Sequence, residues 1–262
     1  MFKTFFQSQI QQFLSSRSMS ALGYCHKCNT THSLPTNAKA IQQVKSLHQQ
    51  FTSSFNNIKH GKMIGVLLTK ENVTLKAFAG AINGQWNIKG WSTVCGGVGS
   101  SPSELPKYQT IQNKTNTLEK QQQQLQYQYE RSKQDNNNND NATRTTLLLL
   151  QQEIQQITTE RKRLAVAALT EMRRHQHVTN FEGEKAILQD VFGTNNTTTK
   201  MPAGVGDCCA PKLLQDAARQ NLTPIAIAEI IVGGDNDGKL RDACVERCQP
   251  VLGFMLCGIN ES

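Results

Sequence analysis

A chain of 262 residues, 37% hydrophobic and 18% charged, has room for one large domain or two small ones, and its heavy Gln, Asn and Thr content leaves a smaller core than that length suggests. The net charge of +8 is carried by the first 70 residues, which hold eight Lys/Arg and no acid, while the remaining 192 carry 20 basic and 20 acidic residues; this argues against a nucleic-acid-binding surface spread over the whole fold. No run of 18 apolar residues occurs, so no membrane span is expected.

Residues 1–20 are Ser-rich and acid-free, with Lys3 and Arg17 as their charges. Phe2, Phe5, Phe6, Ile10, Phe13 and Leu14 recur at helical spacing and form one apolar face. That pattern predicts an organelle transit peptide and a mitochondrial location, with a cytoplasmic tail as the alternative.

From 21 to 106 the pattern predicts the first half of an α/β core. YCHKCNTTHSLP (24–35) reads as a polar loop. Ala40, Ile41, Val44, Leu47, Phe51 and Phe55 step by threes and fours, which predicts a helix over 37–55. GKMIGVLLT and VTLKAFAGAI are β-branched, apolar runs around a polar KEN turn and predict a hairpin. NGQWNIKGW, opened by the turn dipeptide Asn83-Gly84, predicts a third strand, and CGGVGSSPSELP a loop.

Residues 107–181 are different material. Helix formers flank QQQQLQYQYE and DNNNND, two low-complexity tracts with no reason to pack. Leu150, Ile154, Ile157, Arg161 and Leu164 recur near heptad spacing, so a coiled-coil-like helical hairpin with a disordered Asn-rich loop is expected. It is also the candidate surface for homo-oligomer formation.

Residues 182–262 predict the second half of the core. Ala186, Ile187, Leu188, Val191 and Phe192 mark a short helix. Gly204 and Gly206 precede a helix beginning near Asp207, LTPIAIAEIIVGG reads as a strand, and CVERCQPVLGFMLCG as a terminal helix with Pro250 at a break.

GKMIGVLL, LKAFAGAINGQWNIKGW, TTERKRLAVAALTEM, PAGVGDCCAPKLLQDA and CVERCQPVLGFML follow one another in the chain. In that order they resemble the N-terminal accessory region of bacterial pseudouridine synthases that act on large-subunit rRNA and on tRNA. The resemblance covers residues 24–260 apart from the Gln and Asn tracts. Its most specific pieces are GDCCAPKLL at 206–214, then C-x3-C and PVLG at 250–253. It implies a role in RNA modification, with rRNA or tRNA and a pseudouridine synthase as partners. The Arg-Leu-Asp motif whose Asp performs that family's chemistry is absent; the nearest string, Gly238-Lys239-Leu240-Arg241-Asp242, has the wrong order. Pseudouridine formation by this chain is therefore not expected, and no catalytic residue is assigned.

Eight cysteines occur, at 25, 28, 95, 208, 209, 244, 248 and 257, and without a secretory signal their even number says little about disulfides. Thiolates spaced C-x2-C or C-x3-C can place two sulfurs on one zinc ion. One reading joins Cys208, or its neighbour Cys209, at a helix start to Cys244 and Cys248 in an open three-sulfur site. The alternative joins Cys25 and Cys28, with His26 and His32 nearby, to Cys244 and Cys248 in a closed site. A helix N-terminus would favour the thiolate at Cys208. The three-sulfur order, with a hairpin, a ligand helix, a strand and a second ligand pair, is similar to the zinc deaminases. It predicts an α+β fold with a deaminase-like mixed sheet and flanking helices, interrupted by the helical hairpin. A deaminase, however, needs a Glu two residues after its first ligand; here Ala210 or Pro211 stands there, which leaves Glu229 on the apolar strand as the substitute. A zinc- or cysteine-dependent hydrolase acting on a base or nucleotide is thus the second functional reading, and a coiled-coil assembly protein the third. Lys212 beside the helix start is a candidate phosphate contact, and Trp86 a candidate base-stacking residue.

Overall fold

The computed structural model describes residues 20–54, 61–93, 104–134, 141–195 and 200–259. The expected leader up to residue 19, Phe55, Cys95 with most of the loop around it, the Asn tract and the centre of the Thr/Asn linker lie outside the described residues. The elements run β1 (Ser20–Cys25), β2 (Thr30–Pro35), α1 (Ala38–Ser54), β3 (Lys62–Thr69), β4 (Thr74–Phe78), α2 (Pro106–Gln134), α3 (Asn141–Arg174), β5 (His177–Thr179), β6 (Lys185–Ile187), α4 (Leu188–Asn195), α5 (Cys209–Arg219), β7 (Pro224–Val232), β8 (Leu240–Arg241) and α6 (Gln249–Leu256). They form an α+β protein of two compact units, Met1–Ser101 with Gln176–Ser262, and Pro102–His175.

The first unit is built on a four-stranded sheet of order β4-β3-β7-β8. Alternation along β3 and β7 gives the sheet two apolar faces. Ile64, Val66 and Leu68 of β3 and Ala226, Ala228, Ile230 and Val232 of β7 pack with Ala40, Val44, Leu47 and Phe51 of α1. Asn37 caps that helix, its Oδ1 accepting from the Ala40 N–H at 2.8 Å. On the other face Leu67 and Ile227 meet Cys209, Ala210, Leu213, Leu214 and Ala217 of α5 and Val251, Leu252 and Met255 of α6. Helices therefore flank the sheet as expected. The expected mixed sheet is instead antiparallel in every described pair: β3 pairs with β4 through a hairpin and with β7 on its other edge, and β8 returns along β7.

Two further expectations change. The stretch read as a polar loop is the β1–β2 hairpin, Ser20 to Pro35, turning at Asn29 (φ 55°). Its covered side is made of Ala21, Gly23, Cys25 and Leu34, of which Leu34 alone is a large apolar residue, so hydropathy gave little strand signal. The third strand does not form. Asn83 (φ 49°) and Gly84 (φ 77°) make the expected tight turn, but its pairing is the single bridge Ile82–Gln85.

Three glycines fix how closely α5 and α6 approach the strands. A Cβ at Gly65 of β3 would lie 2.9 Å from Cys209 Cβ and 3.2 Å from Glu229 Cγ. A Cβ at Gly253 of α6 would lie 2.0 Å from Tyr24 O, and one at Gly23 of β1 would lie 2.2 Å from Gly253 N. The helix and β1 thus meet backbone to backbone.

The second unit pairs α2 with α3. In α2 the less exposed positions are Tyr108, Ile111, Thr115, Leu118, Gln122, Leu125, Tyr129 and Ser132, a continuous heptad seam that runs through the Gln tract. In α3 they include Leu147, Leu150, Ile154, Ile157, Arg161 and Leu164. The Gln tract, read as unable to pack, is thus helical and lends Gln122 and Leu125 to the seam. Gln122 Nε2 donates to Thr158 Oγ1 at 2.9 Å, and Arg161 donates to Gln122 Oε1 at 2.6 Å.

Candidate metal centres

α5 begins at Cys209 with Cys208 as its N-cap residue, and α6 begins at Gln249 with Cys248 in the same place. The terminal helix was expected from Cys244. Cys244 to Cys248 instead form one preceding turn, the Cys248 N–H donating to Cys244 O at 3.1 Å, and Pro250 sits in the first turn of α6, where no N–H is needed. This turn aims both thiols at the start of α5. Cys208 Sγ lies 4.0 Å from Cys244 Sγ, and Cys244 Sγ lies 3.2 Å from Cys248 Sγ. The three sulfurs are within 4.8 Å of one another, close enough to hold a metal ion. In a tetrahedral site with metal–sulfur bonds near 2.3 Å, the sulfurs are about 3.8 Å apart.

The trio is open on one side: Cys248 is buried, Cys208 half-buried and Cys244 exposed. Contacts from Cys208 and Cys248 hold the Cys244 thiol well below the usual range, and the Cys208 thiol is pushed up, first by its contact with Cys244. Cys209 takes no part. It is buried under Gly65, with its thiol directed at Met63 O and Ala77 O.

Glu229 stands opposite Gly65 on β7 and is 6% exposed. Burial raises its carboxyl to about 8, opposed by the Ala210 backbone N–H and reinforced by Cys244 and Asp242. Among the described residues its Oε1 has no hydrogen-bond partner. A cavity of about 10 Å³ adjoins it, lined also by Thr36, Ala228 and Arg241. That is room for about one water.

The closed alternative, Cys25 and Cys28 with Cys244 and Cys248, is not assembled. The reason is the length of α6. Cys248 is at its start and Cys257 at its end, and eight helical residues span about 12 Å. Cys25 and Cys28 gather at the far end, with His32 and Cys257, as a second group whose ligand atoms lie within 4.8 Å of one another. Cys28 Sγ is 3.0 Å from His32 Nε2 and 3.8 Å from Cys257 Sγ. His26 instead packs edge-on against Tyr24, with ring centroids 4.9 Å apart. Spacing gave no sign of Cys257, which is 229 residues from Cys28.

The two nucleic-acid candidates are placed inside the fold or against it. Lys212 is fully buried, which removes it as a phosphate contact. Its Nζ donates to Phe78 O at 2.8 Å and Gly80 O at 3.1 Å and lies 4.8 Å over the Phe78 ring. Trp86 is half-buried in the segment after the Asn83-Gly84 turn. Trp91 packs edge-on against Phe51 and Phe78. Among the described residues no helix is long and apolar enough to cross a membrane.

Searches of the chain against family models, curated proteins and solved structures return no match.

Proposed function

We propose that this chain is a zinc-binding, non-catalytic accessory protein of RNA modification, working in mitochondria beside a pseudouridine synthase on rRNA or tRNA. The observation that carries the reading is the convergence of Cys208, Cys244 and Cys248 from two helix starts. Three thiols select a borderline-soft ion such as zinc over magnesium or calcium. The cavity of about 10 Å³ beside Glu229 holds about one water and has no room for a base. The RNA setting rests on the resemblance of GDCCAPKLL and PVLG to the accessory region of pseudouridine synthases, and the mitochondrial setting on the leader sequence. Crosslinking and pulldown of the tagged protein from its own cells tests the setting. Organellar rRNA or tRNA, or a pseudouridine synthase, is the expected catch; recovery of neither from folded, correctly localised protein overturns it.

Glu229 favours a second reading, a deaminase-like hydrolase. Its buried carboxyl, raised to about 8, has the protonation range of a general acid–base beside a metal site with a free position. On this reading Cys208→Ser and Glu229→Gln each abolish turnover of a nucleoside or nucleotide, and Glu229→Gln does so with zinc retained. A wild-type protein with zinc bound and no turnover across bases, nucleosides and nucleotides eliminates it.

A further inference from the structure

We infer that Cys25, Cys28, His32 and Cys257 form a second, closed zinc site that clamps the β1–β2 hairpin onto the end of α6. The set is complete in number and kind: three thiols and one imidazole, the composition of structural zinc centres that leave no position for substrate. Its geometry also fits. With bonds near 2.3 Å to sulfur and 2.0 Å to nitrogen, a tetrahedron separates two sulfurs by about 3.8 Å and a sulfur from a nitrogen by about 3.5 Å. Cys28 Sγ lies 3.8 Å from Cys257 Sγ and 3.0 Å from His32 Nε2.

Each ligand is delivered by a different piece of backbone. Cys25 ends β1, Cys28 sits in the turn, His32 lies on β2, and Cys257 is the C-cap residue of α6. The Gly23–Gly253 contact brings α6 against β1 and so sets the distance between the hairpin and Cys257. Gly258 follows at φ 86°, which turns the chain sharply after the ligand. The turn is held from a third side as well: Lys27 Nζ bonds Glu182 Oε2 at 2.7 Å and pairs with Glu184, both next to the β5–β6 turn. An ion here closes a loop of more than 200 residues, and closing so long a loop removes unfolded-chain entropy that no local contact can.

This site is separate from the trio at Cys208, so the two are tested independently. The full chain, produced with zinc, is assayed for metal alongside Cys257→Ser and Cys244→Ser. Cys257→Ser loses one zinc equivalent relative to wild type, whatever the trio binds, and Cys244→Ser leaves that equivalent in place. His32→Cys guards against a misfolded variant. It keeps four donors, so the ion stays, while the cobalt-substituted protein shifts its absorption towards that of an all-sulfur site. Unchanged zinc in Cys257→Ser, iron in place of zinc, a Cys28–Cys257 disulfide in the freshly purified protein, or a cobalt spectrum indifferent to His32→Cys would each overturn the assignment.

Discussion

The two units are held together by opposite means. The α+β unit relies on contacts with no slack: backbone against backbone at Gly23 and Gly253, a helix on a glycine at Gly65, a lysine sealed between carbonyls. The helical hairpin has no buried residue in α2 and only Leu164, Glu171 and Arg173 buried in α3. It depends on a repeated seam that alternates leucines and isoleucines with Gln, Thr and Arg. In the first unit a single methyl group should be ruinous. In the second, polar seam positions should be replaceable at a gain.

The largest expected effect is therefore Gly253→Ala. The new Cβ would meet Tyr24 O at 2.0 Å, a backbone atom that no rotamer change can move. Overpacking of this kind costs roughly 3 kcal/mol or more, about 10 °C of melting temperature for a unit this size. Calorimetry would show it, and the same variant should lose the Cys257 zinc. A normal melting temperature would mean that β1 and α6 are farther apart than described. Lys212→Met comes next. It keeps the volume but strands Phe78 O and Gly80 O, at a cost of about 2 kcal/mol. Any RNA affinity should be unchanged once the loss of folded protein is counted; a selective loss of RNA binding would show that Lys212 reaches solvent. In the hairpin, replacing Gln122 and Arg161 together by Leu should add about 1 kcal/mol, read as slower hydrogen exchange along the seam. Faster exchange would show that the polar layer supports the helices rather than merely setting their register.

Local patterns made α3 of the second unit and half of the first unit legible, while the Gln tract of α2 was read as unable to pack. The steps of Ala40, Val44, Leu47 and Phe51, the apolar, β-branched runs of β3 and β7 and the heptads of α3 each lie within a few residues, so a local pattern carried them. What escaped was set by single contacts between distant segments. β1 was missed because its partner surface is α6, met through Gly23, and glycine has no hydropathy signal. Cys257 was missed as a ligand for the same reason, since nothing near it in sequence shows that α6 ends over Cys25 and Cys28. The trio of Cys208, Cys244 and Cys248 was readable because two of its members are one turn apart. Lys212 was misplaced because a lysine after Pro211 ordinarily faces water, and only the fold shows two carbonyls waiting for it.

The smallest effect separates the two units by pH. Glu160 of α3 bonds Arg163 and Lys114, and these contacts hold its carboxyl down to about 2 from an ordinary 4.5. A carboxylate with a depressed folded value stabilises the fold fully above the unfolded value and loses that contribution as pH falls through the folded one. The hairpin should thus hold a constant share of stability from Glu160 above about pH 4.5 and lose it between there and about pH 2. The pair is solvent-facing, so salt should shrink the effect. Thermal melts followed by helical circular dichroism, wild type against Glu160→Gln, isolate this term from the other carboxylates. The two proteins should differ most near neutral pH and converge in acid. A difference that persists unchanged at pH 2 would mean that Glu160 acts through packing rather than charge.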